Sequence, residues 1–200
     1  MTIKDLVDHV ALLGAERELG NIDEMTEEHF FHALNTALYT VNRLDPITKT
    51  VFLDCEKKTA PSGIVVIDEP TRTRYDFSGV SDHLRFRSVF EEWGGSLAEG
   101  EEYRIYGKEL VFRADFDKTC AVSYECSLEQ ITVDTDEQAQ LPLDDELCRL
   151  LPNLVAFYLL LDEDSEKSAA CKAAYNEQVS MLRTLRPHAQ KASYISTNNW

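Results

Sequence analysis

The 200-residue chain has no long hydrophobic run. Its longest, Leu154–Leu161, is far short of the roughly 20 residues that a membrane-spanning helix needs, so no membrane partner is expected. The N-terminal stretch is interrupted by Lys4, Asp5, Asp8 and His9, which breaks the apolar core of a signal peptide. No Cys-x-x-Cys occurs, and the odd set Cys55, Cys120, Cys126, Cys148 and Cys171 is expected to be buried thiols. Cys120 and Cys126, six residues apart, could share a strand face. A glycine-rich phosphate loop, a Gly-x-Ser-x-Gly elbow and a Cys/His pair with local context are all missing. Neither an internal repeat nor a long linker is present. These absences leave no catalytic residue, cofactor or metal to assign.

Positive charge is also scarce. There are 20 Lys and Arg against 36 Asp and Glu, a formal charge of −16. The excess acid is spread over the whole chain, with no basic arm to neutralise phosphates, so free DNA binding is not expected. At 28% charged and 44% hydrophobic the chain has enough apolar residues for a core and reads as one globular domain made in a cytoplasm.

What is present reads as α+β. Thr2 caps a first helix with Asp5 three residues on, and Ile3, Leu6, Val7, Val10 and Leu13 share one face. Gly14 and Gly20-Asn21 end it. Thr26 caps a second helix that carries Phe30, Phe31, Leu34, Leu38, Val41 and Leu44 and stops at Asp45-Pro46. The period then changes to that of strands, expected over 48–55, 64–67, 71–77, 84–90, 103–106, 109–112 and 120–128, with a Gly107-Lys108 hairpin turn and a loop from Trp93 to Glu102. From Leu141 to Leu185 the chain returns to helix: Asp144 or Asp145 caps the first segment, Pro152 either kinks it or marks the first turn of a new segment, a kink being expected, and Asp162-Glu163-Asp164 breaks it. The second segment buries Cys171, Tyr175, Val179, Leu182 and Leu185, and Ala169, Ala170, Ala173 and Ala174 allow close approach of a neighbour. The expected architecture is a helical bundle of N- and C-terminal helices (1–45 and 141–186) with a small antiparallel sheet or sandwich (47–130) inserted, followed by a flexible tail, 187–200.

The candidate sites are few. Glu28 and His32 share a helix face, but further ligands and the His-Glu-x-x-His order are missing. Asp162, Asp164 and Glu166 resemble the start of a calcium loop, yet its glycine and closing glutamate are absent, so a capping turn is expected. Arg72, Arg74, Arg85 and Arg87 form the notable basic cluster; at two-residue spacing each pair points to one side of its strand. They either meet surface carboxylates or present a polar contact to a partner. Tyr194, Ile195 and Trp200 are candidate anchors on the polar tail.

Three stretches, Tyr103-Arg-Ile-Tyr-Gly-Lys-Glu-Leu-Val-Phe112, Ala121-Val-Ser-Tyr124 and Leu141-Pro-Leu-Asp-Asp-Glu146, together with the helices through Ala156-Phe157-Tyr158-Leu159 and Ala174-Tyr175-Asn-Glu177, resemble the head-to-tail adaptor (connector) proteins of tailed bacteriophages, of the tail tubular protein A type. The resemblance covers 103–185, about half of the chain. It implies a virion structural protein of the neck, not an enzyme. Its copies, about a dozen, would close a ring between portal and tail proteins and continue the DNA channel, with only non-specific passage of DNA. It also implies that the tail residues dock on the portal and that the 141–185 hairpin forms the ring. A cytoplasmic binding module such as an assembly chaperone, and a hydrolase using dispersed carboxylates, are the alternative expectations.

Overall fold

The computed structural model describes residues 1–16, 27–92, 95–162 and 164–185. The fold is α+β, with two antiparallel sheets. The chain divides into two compact units, one of residues 1–45 and 128–200 and the other Pro46–Ser127.

The helical unit contains α1 (Ile3–Glu16), α2 (Glu27–Asn42), a short α3 (Asp145–Cys148), α4 (Leu151–Leu160) and α5 (Ser165–Leu185). Thr2 and Asp5 cap α1 reciprocally: the Asp5 amide donates to Thr2 Oγ1 (3.1 Å) and the Thr2 amide to Asp5 Oδ2 (2.8 Å). Those bonds to the charged form hold the Asp5 carboxyl below its ordinary value. Gly14 does not end the helix, which runs on to Glu16; one glycine inside a helix costs only about 1 kcal/mol, which packing can offset. The expected Gly20-Asn21 break and Thr26 cap lie outside the described residues.

Pro152 differs from expectation. It kinks nothing, because α3 ends at Cys148 and Pro152 sits in the first turn of a new helix. There a missing N–H leaves no bond broken, and the fixed φ is already helical. Asp144 is the residue that caps α3, accepting from the Leu147 amide at 2.8 Å. Asp164 caps α5, accepting from the Lys167 amide at 3.0 Å, so the acidic turn is a capping turn. The apolar block of α4 is buried from Leu151 through Ala156. It meets Leu34, Leu38 and Val41 of α2, Ile3, Leu6 and Val10 of α1, and Tyr175 and Val179 of α5 in a single core. Asn35 ties the incoming segment to α2: its Nδ2 donates to the Ile131 carbonyl (2.7 Å) and its Oδ1 accepts from the Ile131 amide (2.9 Å).

The β-rich unit holds β1 (Thr48–Asp54), β2 (Val65–Glu69), β3 (Arg72–Asp76), β4 (His83–Glu91), β5 (Tyr103–Tyr106), β6 (Glu109–Arg113) and β7 (Thr119–Cys126). One sheet has the order β1-β7-β4 and the other β2-β3-β6-β5. The chain therefore alternates between sheets, placing β1, β4 and β7 in one and the hairpins β2–β3 and β5–β6 in the other. Gly107, at φ +61°, supplies the left-handed turn residue that joins β5 to β6. Gly63 and Gly79 pack so closely that a Cβ on Gly79 would lie 2.5 Å from the Gly63 carbonyl oxygen. Both sheets feed one core, including Leu53, Val89 and Val122 from the first and Tyr75, Leu110 and Phe112 from the second. Two bulges interrupt β4 against β7, between His83 and Arg85 and between Phe86 and Ser88.

All five cysteines are buried and unbridged. Cys120 and Cys126 both face the core, but six residues of strand separate them by about 20 Å. They cannot pair. Cys120 lies instead beside Cys55; that hydrogen bond and burial raise its thiol well above its ordinary value.

Candidate functional site

The four arginines do not form one cluster. Arg72 and Arg74 lie on β3, in the four-stranded sheet, and Arg85 and Arg87 lie on β4, in the three-stranded one. Each pair occupies the outer face of its sheet: Thr73 and Tyr75, alternating with Arg72 and Arg74, are buried, and Phe86, between Arg85 and Arg87, packs on the core.

On the four-stranded sheet the arginines are tied into a lattice. Arg72 pairs with Glu69 through Nε, and Arg74 reaches both Glu69 (3.0 Å) and Glu109 (3.3 Å). Arg113, directly opposite Arg72 in the register, is held by Asp115 at 2.6 Å. Two like charges opposite one another would repel, and each is offset by its own carboxylate. Arg104 forms no ion pair among the described residues. With Arg72, Tyr106, Val111 and Arg113 it lines a shallow hollow of ≈ 210 Å³, which Glu101 and Glu102 also line. Three arginines and two glutamates line it, so charges of both signs meet there and the hollow is suited to a polar contact.

On the three-stranded sheet a single carboxylate serves both arginines. Glu125 of β7 accepts from Arg85 Nε (2.7 Å) and Nη2 (2.9 Å), and from Arg87 Nε at 2.6 Å. Its side chain is 7% exposed, against 68% and 43% for Arg85 and Arg87. The first bulge of β4 sets Arg85 opposite Glu125. The hydrogen bonds from Arg85 to this carboxylate raise the guanidinium above its ordinary value.

The helical unit offers a third surface. Phe157, Leu161, Ala169, Lys172, Ala173 and Asn176 line a groove of ≈ 410 Å³ between α4 and α5. The Lys172 ammonium stands 4.7 Å from the Phe157 ring and 4.8 Å from the Tyr175 ring, where the π faces stabilise it. Ala169, Ala170 and Ala173 are exposed and Ala174 is partly buried, so no neighbouring element among the described residues covers the first three.

Glu28 and His32 are exposed on α2, and no group of three or more His, Cys, Asp or Glu among the described residues is placed to hold a metal ion. No described helix is long and apolar enough to cross a membrane. Tyr194, Ile195 and Trp200 lie outside the described residues. Sequence reasoning missed Glu125, Glu69 and Glu109, the partners that define each arginine's environment. In so acidic a chain only strand register could have singled them out.

No model of a known protein family matches the chain, and no curated protein matches it. The arginine lattices can bind a complementary polar surface through planar, forked guanidinium groups. The α4–α5 groove can bury an apolar side chain.

Proposed function

We propose that this protein is a virion structural protein, a head-to-tail adaptor that works by assembling into a ring between portal and tail proteins and continuing the DNA channel. The observation that supports this reading is the layout: N- and C-terminal helical segments share one unit, and the strands of Pro46–Ser127 are inserted between them. That is the order the adaptor resemblance implies. In this reading the helices form a bundle that carries ring contacts, the two sheets face each other as a small sandwich, and the protein performs no chemistry of its own. The arginine pairs Arg72/Arg74 and Arg85/Arg87 are partner contacts at the rim, and Tyr194, Ile195 and Trp200 anchor the tail on the portal.

Size-exclusion chromatography with light scattering tests this, with the protein alone and mixed with portal protein. A ring, alone or on the portal, is the expected result. A monomer under both conditions would remove the proposal. The open α4–α5 groove favours a second reading, an assembly chaperone or other binding module. Mass spectrometry of purified virions separates the two, since an adaptor remains in the particle and a chaperone does not.

A further inference from the structure

His83 is the most anomalous polar residue of the β-rich unit. It is 2% exposed, and neither ring nitrogen has a hydrogen-bond partner among the described residues. The imidazole is enclosed by three aromatic rings, with centroid distances of 4.5 Å to Phe86, 5.1 Å to Tyr124 and 5.3 Å to Phe77. Buried polar groups are nearly always satisfied, so an orphaned pair of nitrogens calls for a reason. A neutral imidazole tolerates such a site as a flat aromatic. An imidazolium there would carry a charge and two donors with nothing to accept from them.

The surrounding charges do not rescue the protonated form. Asp82, the adjacent carboxylate, is already engaged by Lys49 from β1. Lys108, in the β5–β6 turn, opposes a second positive charge. The titratable groups that β7 turns inward beside the ring are the Tyr124 hydroxyl and the Cys126 thiol, both raised by burial and neutral near pH 7; Cys126 is pushed up to about 11. Arg85, Arg87 and Glu125 occupy the opposite face of the same strands and neutralise one another in part. Burial, and after it Lys108, accordingly holds His83 below its ordinary value of 6.5.

The position matters as much as the burial. His83 is the first residue of β4, opposite Cys126 at the end of β7, and the ladder is broken by a bulge immediately after it. This end of the ladder is held by the Ser127 amide donating to the Asp82 carbonyl at 2.8 Å and the Cys126 amide donating to the Ile47 carbonyl at 2.9 Å.

We propose that His83 is an acid-sensitive latch: its protonation opens the β4–β7 end of the β-rich unit and leaves the helical unit closed. The device is independent of the adaptor reading.

Cys126 reports the opening, and Cys148 and Cys171 in the helical unit serve as internal controls. The full chain is treated with a dipyridyl disulfide at about pH 7.5 and about pH 5.5, either side of the histidine range. Modification of each cysteine is followed by mass spectrometry and normalised to a small thiol at the same pH. Cys126 should react several-fold faster at the lower pH, because the opened state binds the proton more tightly, while Cys148 and Cys171 stay constant. His83→Phe, which keeps a flat ring and removes the proton, should abolish the acceleration. Equal rates at both pH values in the wild type, acceleration that survives in His83→Phe, or equal acceleration of Cys148 would each overturn the proposal. The wild type provides a check that does not depend on the variant folding. The His83 Cε1 proton should titrate with a midpoint below 6.5, and a midpoint at or above that value would also overturn it.

Discussion

The two units solve the problem of burial in opposite ways. The helical unit is aliphatic inside: Leu6, Leu34, Leu38, Leu151 and Leu154 are fully buried, and alanines such as Ala33 and Ala37 let helices approach. The β-rich unit is aromatic inside, with Tyr75, Phe77 and Phe112 fully buried and edge-to-face contacts such as Tyr75–Phe112 at 5.9 Å. Backbone geometry explains the difference. Aromatic side chains pack well across neighbouring strands of a pleated sheet, whereas helices approach closely where their contact residues are small. Charge follows a similar division. The β-rich unit carries 11 basic and 15 acidic residues, a formal charge of −4, and the helical unit 9 and 21, or −12. The acidity noted along the whole chain thus belongs mainly to the helical unit, and the β-rich unit organises its charges into cross-strand pairs.

The sharpest way to break this contrast is to remove one large side chain from each core. Phe112→Ala should cost about 3–5 kcal/mol and Leu154→Ala about 2–5 kcal/mol, read from urea unfolding, with hydrogen exchange showing in which unit protection is lost. If Phe112→Ala weakened both units equally, the division into two cores would be wrong. Phe157 is a poorer target than the sequence suggests, because it is only half-buried against Lys172; Phe157→Asp should cost less than Leu154→Asp.

Next is Glu125→Ala. A buried pair that loses one partner costs about 3–5 kcal/mol when a charge is stranded. Here the stranded arginines are largely exposed and can rehydrate, so about 1–2 kcal/mol is expected, nearer the surface-pair range. A loss above about 4 kcal/mol would show that the arginines are desolvated after all.

Caps come lower. Asp144→Ala and Asp164→Ala should each cost about 1 kcal/mol, both in the helical unit, measured as a shift in unfolding midpoint at constant slope. The smallest effect is expected from Arg113→Ala. Its pair with Asp115 is 71% and 67% exposed, so a change within about 0.5 kcal/mol should be found at low salt and none at high salt.

Acid should separate the units most cleanly. Because His83 is held below 6.5 in the folded state, the unfolded chain binds more protons just below that value. The stability of the β-rich unit is therefore complete above about 6.5 and falls as pH drops toward the folded value, levelling off beneath it. In the helical unit, the Asp5 carboxyl is depressed, so its contribution is lost only at far lower pH.

Local signals in the sequence determined a good deal. The Thr2–Asp5 cap, the acidic turn at Asp164, the Gly107-Lys108 hairpin and the apolar stripes of α2 and α4 all depend on residues within a few positions of one another, and each is where its spacing placed it. Pro152 is less legible for a related reason: whether a proline kinks a helix or opens one depends on where the previous helix stops, and the short α3 gives little sign of its end. What only the tertiary structure decided is non-local. The alternation of strands between two sheets, the separation of Arg72/Arg74 from Arg85/Arg87, and the choice of Glu125 as their shared carboxylate all follow from register, which pairs residues 40 positions apart. His83 shows it best. Along a regular strand, His83 and Phe86 would face opposite sides; the first bulge of β4 turns both toward Tyr124. A bulge is a property of the paired ladder, not of one strand, and no spacing within Ser81-Asp-His-Leu-Arg-Phe86 could disclose that this histidine would be buried without a partner.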